Sequence, residues 1–150
     1  MITRVARWEL DHDPALTARC YAQYVEASPC DCIFCRNVRA AADRAYPPLF
    51  LKLTQLLGID WSKPSELCHY GELGKACSTH GWFHIVGTVV SGRDAWRQTS
   101  STSWAGDLET YLDVAGLGFT SKLALVPKVF TGHSVVQLEF QTIVPWVLAD

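Results

Sequence analysis

Three of the six cysteines of this 150-residue chain fall within one short stretch, Cys30-Asp31-Cys32-Ile33-Phe34-Cys35. Thiols at this spacing can do three things. They can bind a metal: Cys30, Cys32 and Cys35 supply three thiolates, and zinc would take a fourth ligand from Cys68, Cys77 or His80. Structural zinc sites usually carry two paired knuckles, however, and no second CxxC occurs here. They can exchange disulfides, because Cys32-Ile33-Phe34-Cys35 is a CxxC at the start of a predicted helix, where the helix dipole favours a thiolate. Against this, the chain lacks the early βαβ pattern of a thioredoxin-like fold, and the Asp31 carboxylate opposes ionisation of its neighbours. Or they can simply be buried, since a free cysteine packs as a small apolar side chain. This last reading requires no partner and is the default.

A second group comprises Cys68, His69, Cys77, His80 and His84. Gly71-Glu72-Leu73-Gly74 reads as a four-residue hairpin loop. Centring a hairpin there sets Tyr70 opposite Lys75 and Cys68 opposite Cys77, with Cβ atoms about 4.5–5.5 Å apart. Two thiols at that distance can share a metal, but in a reducing compartment contact alone suffices. His80 and His84 have the i, i+4 spacing of a helical metal pair. On a strand four residues span about 13 Å, too far for one ion with bonds of about 2 Å. Both histidines are therefore expected in structural or surface roles.

Other arrangements are weaker. Asp11-His12-Asp13 precedes Pro14 and reads as a helix cap. No GxSxG elbow and no P-loop occur, and Gly116-Leu117-Gly118 lacks the third glycine of a dinucleotide fingerprint. Of the six tryptophans, Trp8, Trp61, Trp82 and Trp146 lie within or beside apolar runs and are expected in the core. Trp96 and Trp104 flank the polar segment Arg97-Gln98-Thr99-Ser100-Ser101-Thr102-Ser103, an expected exposed loop. They are the candidates for a partner-facing surface.

The elements that must position these groups divide the chain in two. Alternation over residues 2–10 predicts a first strand, with Arg4 spoiling one face and Val5 the other. Asp13-Pro14 then caps a predicted helix over 14–27, which Ser28-Pro29 ends. A second helix is predicted over 35–45, broken by Pro47-Pro48. A third is predicted over 49–57, with Phe50, Leu53, Leu56 and Leu57 as its stripe and Gly58 as its C-cap. Beyond Gly58 the period falls to two, and strands are predicted over 66–70, 79–90, 119–126 and 134–143. Residues 107–117 fit either strand or helix. In the last strand Val136, Leu138 and Phe140 should face the core, and Gln137, Glu139 and Gln141 should face water. The result is an α+β fold, a single domain over 1–150, with an antiparallel sheet and the helices of the N-terminal half packed on one face.

Composition bounds the function. Hydrophobic residues make up 49% and charged residues 19%, which is globular. A net charge of -2 without basic runs argues against a nucleic-acid partner. No stretch approaches the roughly 20 apolar residues of a membrane helix, and the start has no apolar signal core. A cytoplasmic protein with reduced or metal-bound cysteines is the expectation.

Cys32-Ile33-Phe34-Cys35-Arg36-Asn37 resembles a segment of small bacterial proteins of no established activity. So do Gly81-Trp82-Phe83-His84-Ile85-Val86-Gly87 and the closing Gln137-Leu138-Glu139-Phe140 with Val144-Pro145-Trp146-Val147-Leu148. The resemblance implies a bacterial, single-domain, cytosolic protein and carries no substrate or cofactor. Since no acid–base constellation survives the spacing arguments, the expected function is a non-catalytic binding or interaction domain, accessory or immunity-like, with no cofactor. The alternative is a zinc-binding or thiol-redox protein built on Cys30, Cys32 and Cys35.

Overall fold

In the computed structural model, which describes residues 1–26 and 29–149, the first residues double back instead of running as one strand. β1 (Ile2–Val5) and β2 (Trp8–His12) pair antiparallel, with Val5 opposite Trp8. Ala6, at φ 51°, makes the reversal, and the break in alternation at Arg4 and Val5 marks the place. The Arg7 guanidinium at this turn donates to the Asp107 carbonyl at 2.9 Å and pairs with Glu109 at 3.0 Å.

α1 (Pro14–Gln23) begins where the sequence predicts, with the Asp13 carboxylate accepting from Leu16 N at 2.8 Å. It stops at Gln23, short of the predicted end, and Ala27 and Ser28 lie outside the described residues. α2 (Ile33–Ala41) starts two residues earlier than expected because Cys32 is its N-cap. It ends at Ala42, whose φ of 53° breaks the helix, and the 3-10 helix Ala42–Ala45 completes the segment. α3 (Pro48–Leu57) buries Phe50, Leu53, Thr54 and Leu57, and Gly58 closes it at φ 78°, a conformation that favours glycine.

The remaining strands are β3 (Glu66–Tyr70), β4 (Cys77–Ser91), β5 (Trp96–Gln98), β6 (Trp104–Gly106), β7 (Glu109–Tyr111), β8 (Val114–Thr120) and β9 (Val135–Val144). Seven form an antiparallel sheet in the order β1-β2-β4-β9-β8-β7, with β3 also on β4; β5 and β6 make a separate hairpin. The ambiguous 107–117 region is β7, a turn through Leu112 and Asp113 at positive φ, and the start of β8. The strand predicted over 119–126 instead ends at Thr120. The 71–74 hairpin is also corrected. Tyr70 pairs with Ser78 and Cys68 with His80, so the loop is longer and Cys68 does not oppose Cys77.

β2 and β3 share one edge of β4 and leave a gap between them. α1 fills it with side chains. Thr17 Oγ1 accepts from Val86 N at 3.0 Å, and the Tyr21 hydroxyl accepts from His84 N and donates to His84 O, at 3.1 and 2.9 Å.

The helices cover the face that the alternation assigns to the core. Phe140 lies against Phe50 of α3, Tyr46 and Phe83, with ring centroids 5.2, 5.5 and 5.4 Å apart. The opposite face does not meet water as expected: Gln137 is 3% exposed and Glu139 2%. The polar side chains there are satisfied inside the protein. Gln137 Oε1 accepts from His84 Nε2 and Ala124 N, and Glu139 accepts from His80 Nε2 at 2.9 Å and from Trp96 Nε1. Among the described residues no helix is long and apolar enough to cross a membrane.

Candidate functional site

The cysteine cluster is built by the start of α2. Cys32 caps the helix, its sulfur accepting from Cys35 N at 3.4 Å, which sets Cys32 and Cys35 side by side across the first turn. One turn further on, Arg39 reaches back and donates to the Cys30 carbonyl at 2.8 Å. It also pairs with Asp31 at 3.3 Å, but both side chains are well exposed, so the carbonyl contact does more to hold the loop. The sulfurs of Cys30, Cys32 and Cys35 consequently lie within 4.8 Å of one another, a group that can hold a metal ion.

The three thiols are not equivalent. Cys30 and Cys32 are exposed and Cys35 is buried. Burial pushes the Cys35 thiol up, and the neighbouring Cys30 and Cys32 thiols push it further. Burial also acts to raise Cys32, but the Cys35 backbone N–H and the adjacent thiols outweigh it, and Cys32 is held below its ordinary value.

α2 is fixed from behind by Asn37, which is buried at 2% exposure. Its amide donates to the Pro145 carbonyl at 2.9 Å and accepts from Val147 N and Leu148 N at 2.8 and 3.3 Å. Phe34 meets the Trp146 ring edge-on at 5.9 Å. The CRN segment and the closing apolar segment, far apart in sequence, therefore form one unit, in which Trp146, Val147 and Leu148 are half-buried. Asn37→Ala should cost about 2 kcal/mol in urea unfolding, because it removes a buried side chain that holds three backbone groups of the closing segment. Arg36→Ala, at the exposed next position, should stay within about 0.5 kcal/mol.

From the sheet side, His69 of β3 completes the surroundings. Its Nε2 lies 3.4 Å from Cys35 Sγ, its Nδ1 lies 3.0 Å from Thr79 Oγ1, and its ring stacks on Phe34 at 5.6 Å. Burial lowers its pKa, so the neutral imidazole is favoured. A hydrogen on Nδ1, donated to Thr79, leaves the Nε2 lone pair directed at the cysteine. A cavity of about 270 Å³ adjoins the cluster, with Cys30 and Cys35 in its wall beside Tyr46, Trp61, Val38 and Leu67.

The other candidates lie elsewhere. His80 is engaged by Glu139, Cys77 is buried, and Cys68 neighbours His69 on β3, so its side chain takes the opposite face of the strand. His84 is wholly buried, accepting from Ser65 Oγ at 2.8 Å and donating to Gln137 at 3.0 Å. In Asp11-His12-Asp13, Asp13 caps α1 and Asp11 pairs with the terminal amine of Met1 at 3.2 Å. Trp96 is half-buried with its N–H on Glu139. Trp104 is exposed, with Lys122 Nζ 3.6 Å from its ring centroid. Spacing in the sequence finds the three cysteines. It does not find His69 as their neighbour, because a helix-to-strand contact across 34 residues leaves no local period. Comparison with protein-family models, curated proteins and solved structures gives no match.

Proposed function

We propose that this protein is a zinc-binding domain, with Cys30, Cys32 and Cys35 as thiolate ligands, acting as a non-catalytic binding or interaction domain of the cytosol. The observation that carries the reading is the approach of the three sulfurs to within 4.8 Å. Thiolates select soft or borderline metals over magnesium or calcium, and zinc is the usual ion of structural cysteine sites. Bound there, zinc would tie the Cys30 loop to the first turn of α2 and fix one wall of the adjoining cavity.

Native mass spectrometry with elemental analysis of the purified protein tests this. One zinc per chain is expected, lost in Cys32→Ser, and chelation should lower the melting temperature because binding free energy adds to folding free energy. Metal-free protein that takes up no added zinc, with melting unchanged by chelator, overturns the reading.

Thiol exchange is the second reading, and the asymmetry of Cys32 and Cys35 favours it. An exposed thiol held low beside a buried one held high matches an attacking and a resolving cysteine. In metal-free protein Cys32 should then alkylate with an apparent pKa below about 8.5, the ordinary thiol value.

A further inference from the structure

We infer that His69 is the fourth metal ligand, making a closed Cys3His site of Cys30, Cys32, Cys35 and His69. This rests on the zinc reading above and goes beyond it by naming a residue from another element of the fold. The distance is the first support. Tetrahedral zinc, with bonds of about 2.3 Å to sulfur and about 2.1 Å to nitrogen, separates a sulfur from a nitrogen ligand by about 3.6 Å. Cys35 Sγ and His69 Nε2 lie 3.4 Å apart. The same geometry sets two sulfurs about 3.8 Å apart. The three cysteine sulfurs lie within 4.8 Å of one another, a group that does not include His69, so closing the tetrahedron requires the exposed Cys30 and Cys32 side chains to move, Cys32 giving up its cap on Cys35 N.

The second support is the orientation of the ring. A ligating histidine usually engages its other nitrogen with an oxygen that fixes tautomer and direction. Thr79 Oγ1 does this at Nδ1, and Thr79 is the direct cross-strand partner of His69. Phe34, between Cys32 and Cys35 in sequence, stacks on the same ring at 5.6 Å. The third support is the lack of a better donor among those the sequence offers: His80 is committed to Glu139, Cys68 takes the other face of β3, and the Cys77 sulfur lies against Gly71 and the Ser78 carbonyl, outside the cysteine group.

With four protein ligands no position is open for a water, so the ion would be structural. It would fasten the start of α2 to β3, joining the helical half of the chain to the sheet at a point where no strand pairing does so.

The test uses the full-length protein, stripped of metal under reducing conditions and titrated with zinc and with cobalt(II). Wild type should give the intense visible bands of tetrahedral cobalt. His69→Ala should weaken zinc binding roughly tenfold or more and change the cobalt spectrum, as a water replaces the imidazole. His69→Cys should recover the tetrahedral bands with stronger sulfur-to-cobalt charge transfer, reporting a fourth thiolate. Should His69→Ala fail to fold, His69→Cys carries the test alone, and unchanged charge-transfer intensity overturns the assignment. If His69→Ala keeps wild-type affinity and spectrum while Cys32→Ser loses both, His69 is no ligand but the zinc reading stands. If wild type binds neither ion, the zinc reading falls and the assignment with it.

Discussion

Leu138→Ala should destabilise the fold by about 2–5 kcal/mol, and Glu139→Ala, the next residue on the opposite face, should lose about 2 kcal/mol or more. Leu138 is fully buried in the apolar core between β4 and β8, opposite Phe83 and Phe119, so truncation leaves a cavity. Glu139 is costly for a different reason. Its carboxylate is buried at 2% exposure and accepts from His80 and Trp96, so alanine leaves a hole and deprives two half-buried donors of their acceptor. Urea unfolding of both variants measures the two losses. A change within about 0.5 kcal/mol at Glu139, as expected of a solvated face, would contradict the burial of this carboxylate between His80 and Trp96.

Stability should fall by about 3 kcal/mol as pH is lowered from above 6.5 to 4, through His84. Burial of its ring lowers the pKa from an ordinary 6.5 to about 4, although the Gln137 bond works against the shift. The sign follows from proton counts. Between pH 6.5 and 4 the unfolded chain carries a proton on this imidazole and the folded chain does not. Protons therefore draw the equilibrium toward unfolding as pH falls, and above 6.5 the effect vanishes. His12 and His69 are also lowered by burial, each against nearby carboxylates, and add loss of the same sign. Urea midpoints across this range should slope upward with pH in wild type and flatten in His84→Gln. A wild-type midpoint independent of pH would mean that His84 is reached by water.

How much of this was legible depends on how local each signal is. The last strand lies within one residue of its predicted bounds because alternation there runs unbroken by Gly or Pro. α3 was equally clear from Phe50, Leu53 and Leu57 and from Gly58, although Leu56, the fourth residue of the expected stripe, is exposed and Thr54 is buried in its place. The turn between β1 and β2 was hidden because Ala6 and Arg7 are not turn residues by type; only the faulty alternation at Arg4 and Val5 marked it. Gln137 and Glu139 were misread for a deeper reason. Polar alternation looks the same whether its partner is water or a buried donor, and the donors come from His80, His84, Trp96 and Ala124, remote in sequence. The candidate site divides in the same way: a six-residue stretch places three sulfurs, whereas His69 enters only through the fold.

The gap in the edge of β4 has a consequence for association between chains. An interior strand with unpaired amides and carbonyls is a template for any extended peptide that can lie along it. Here Thr17 and Tyr21 occupy those groups from Trp82 onward, with Asp13 N on Val86 O and Ser65 N on Trp82 O closing the two ends. α1 thus acts as a guard over the most central strand of the sheet. Partial detachment of this one helix, with the rest of the fold intact, would open a short stretch of β4 for strand addition by a second molecule, so self-association should track the local opening of α1 rather than global unfolding.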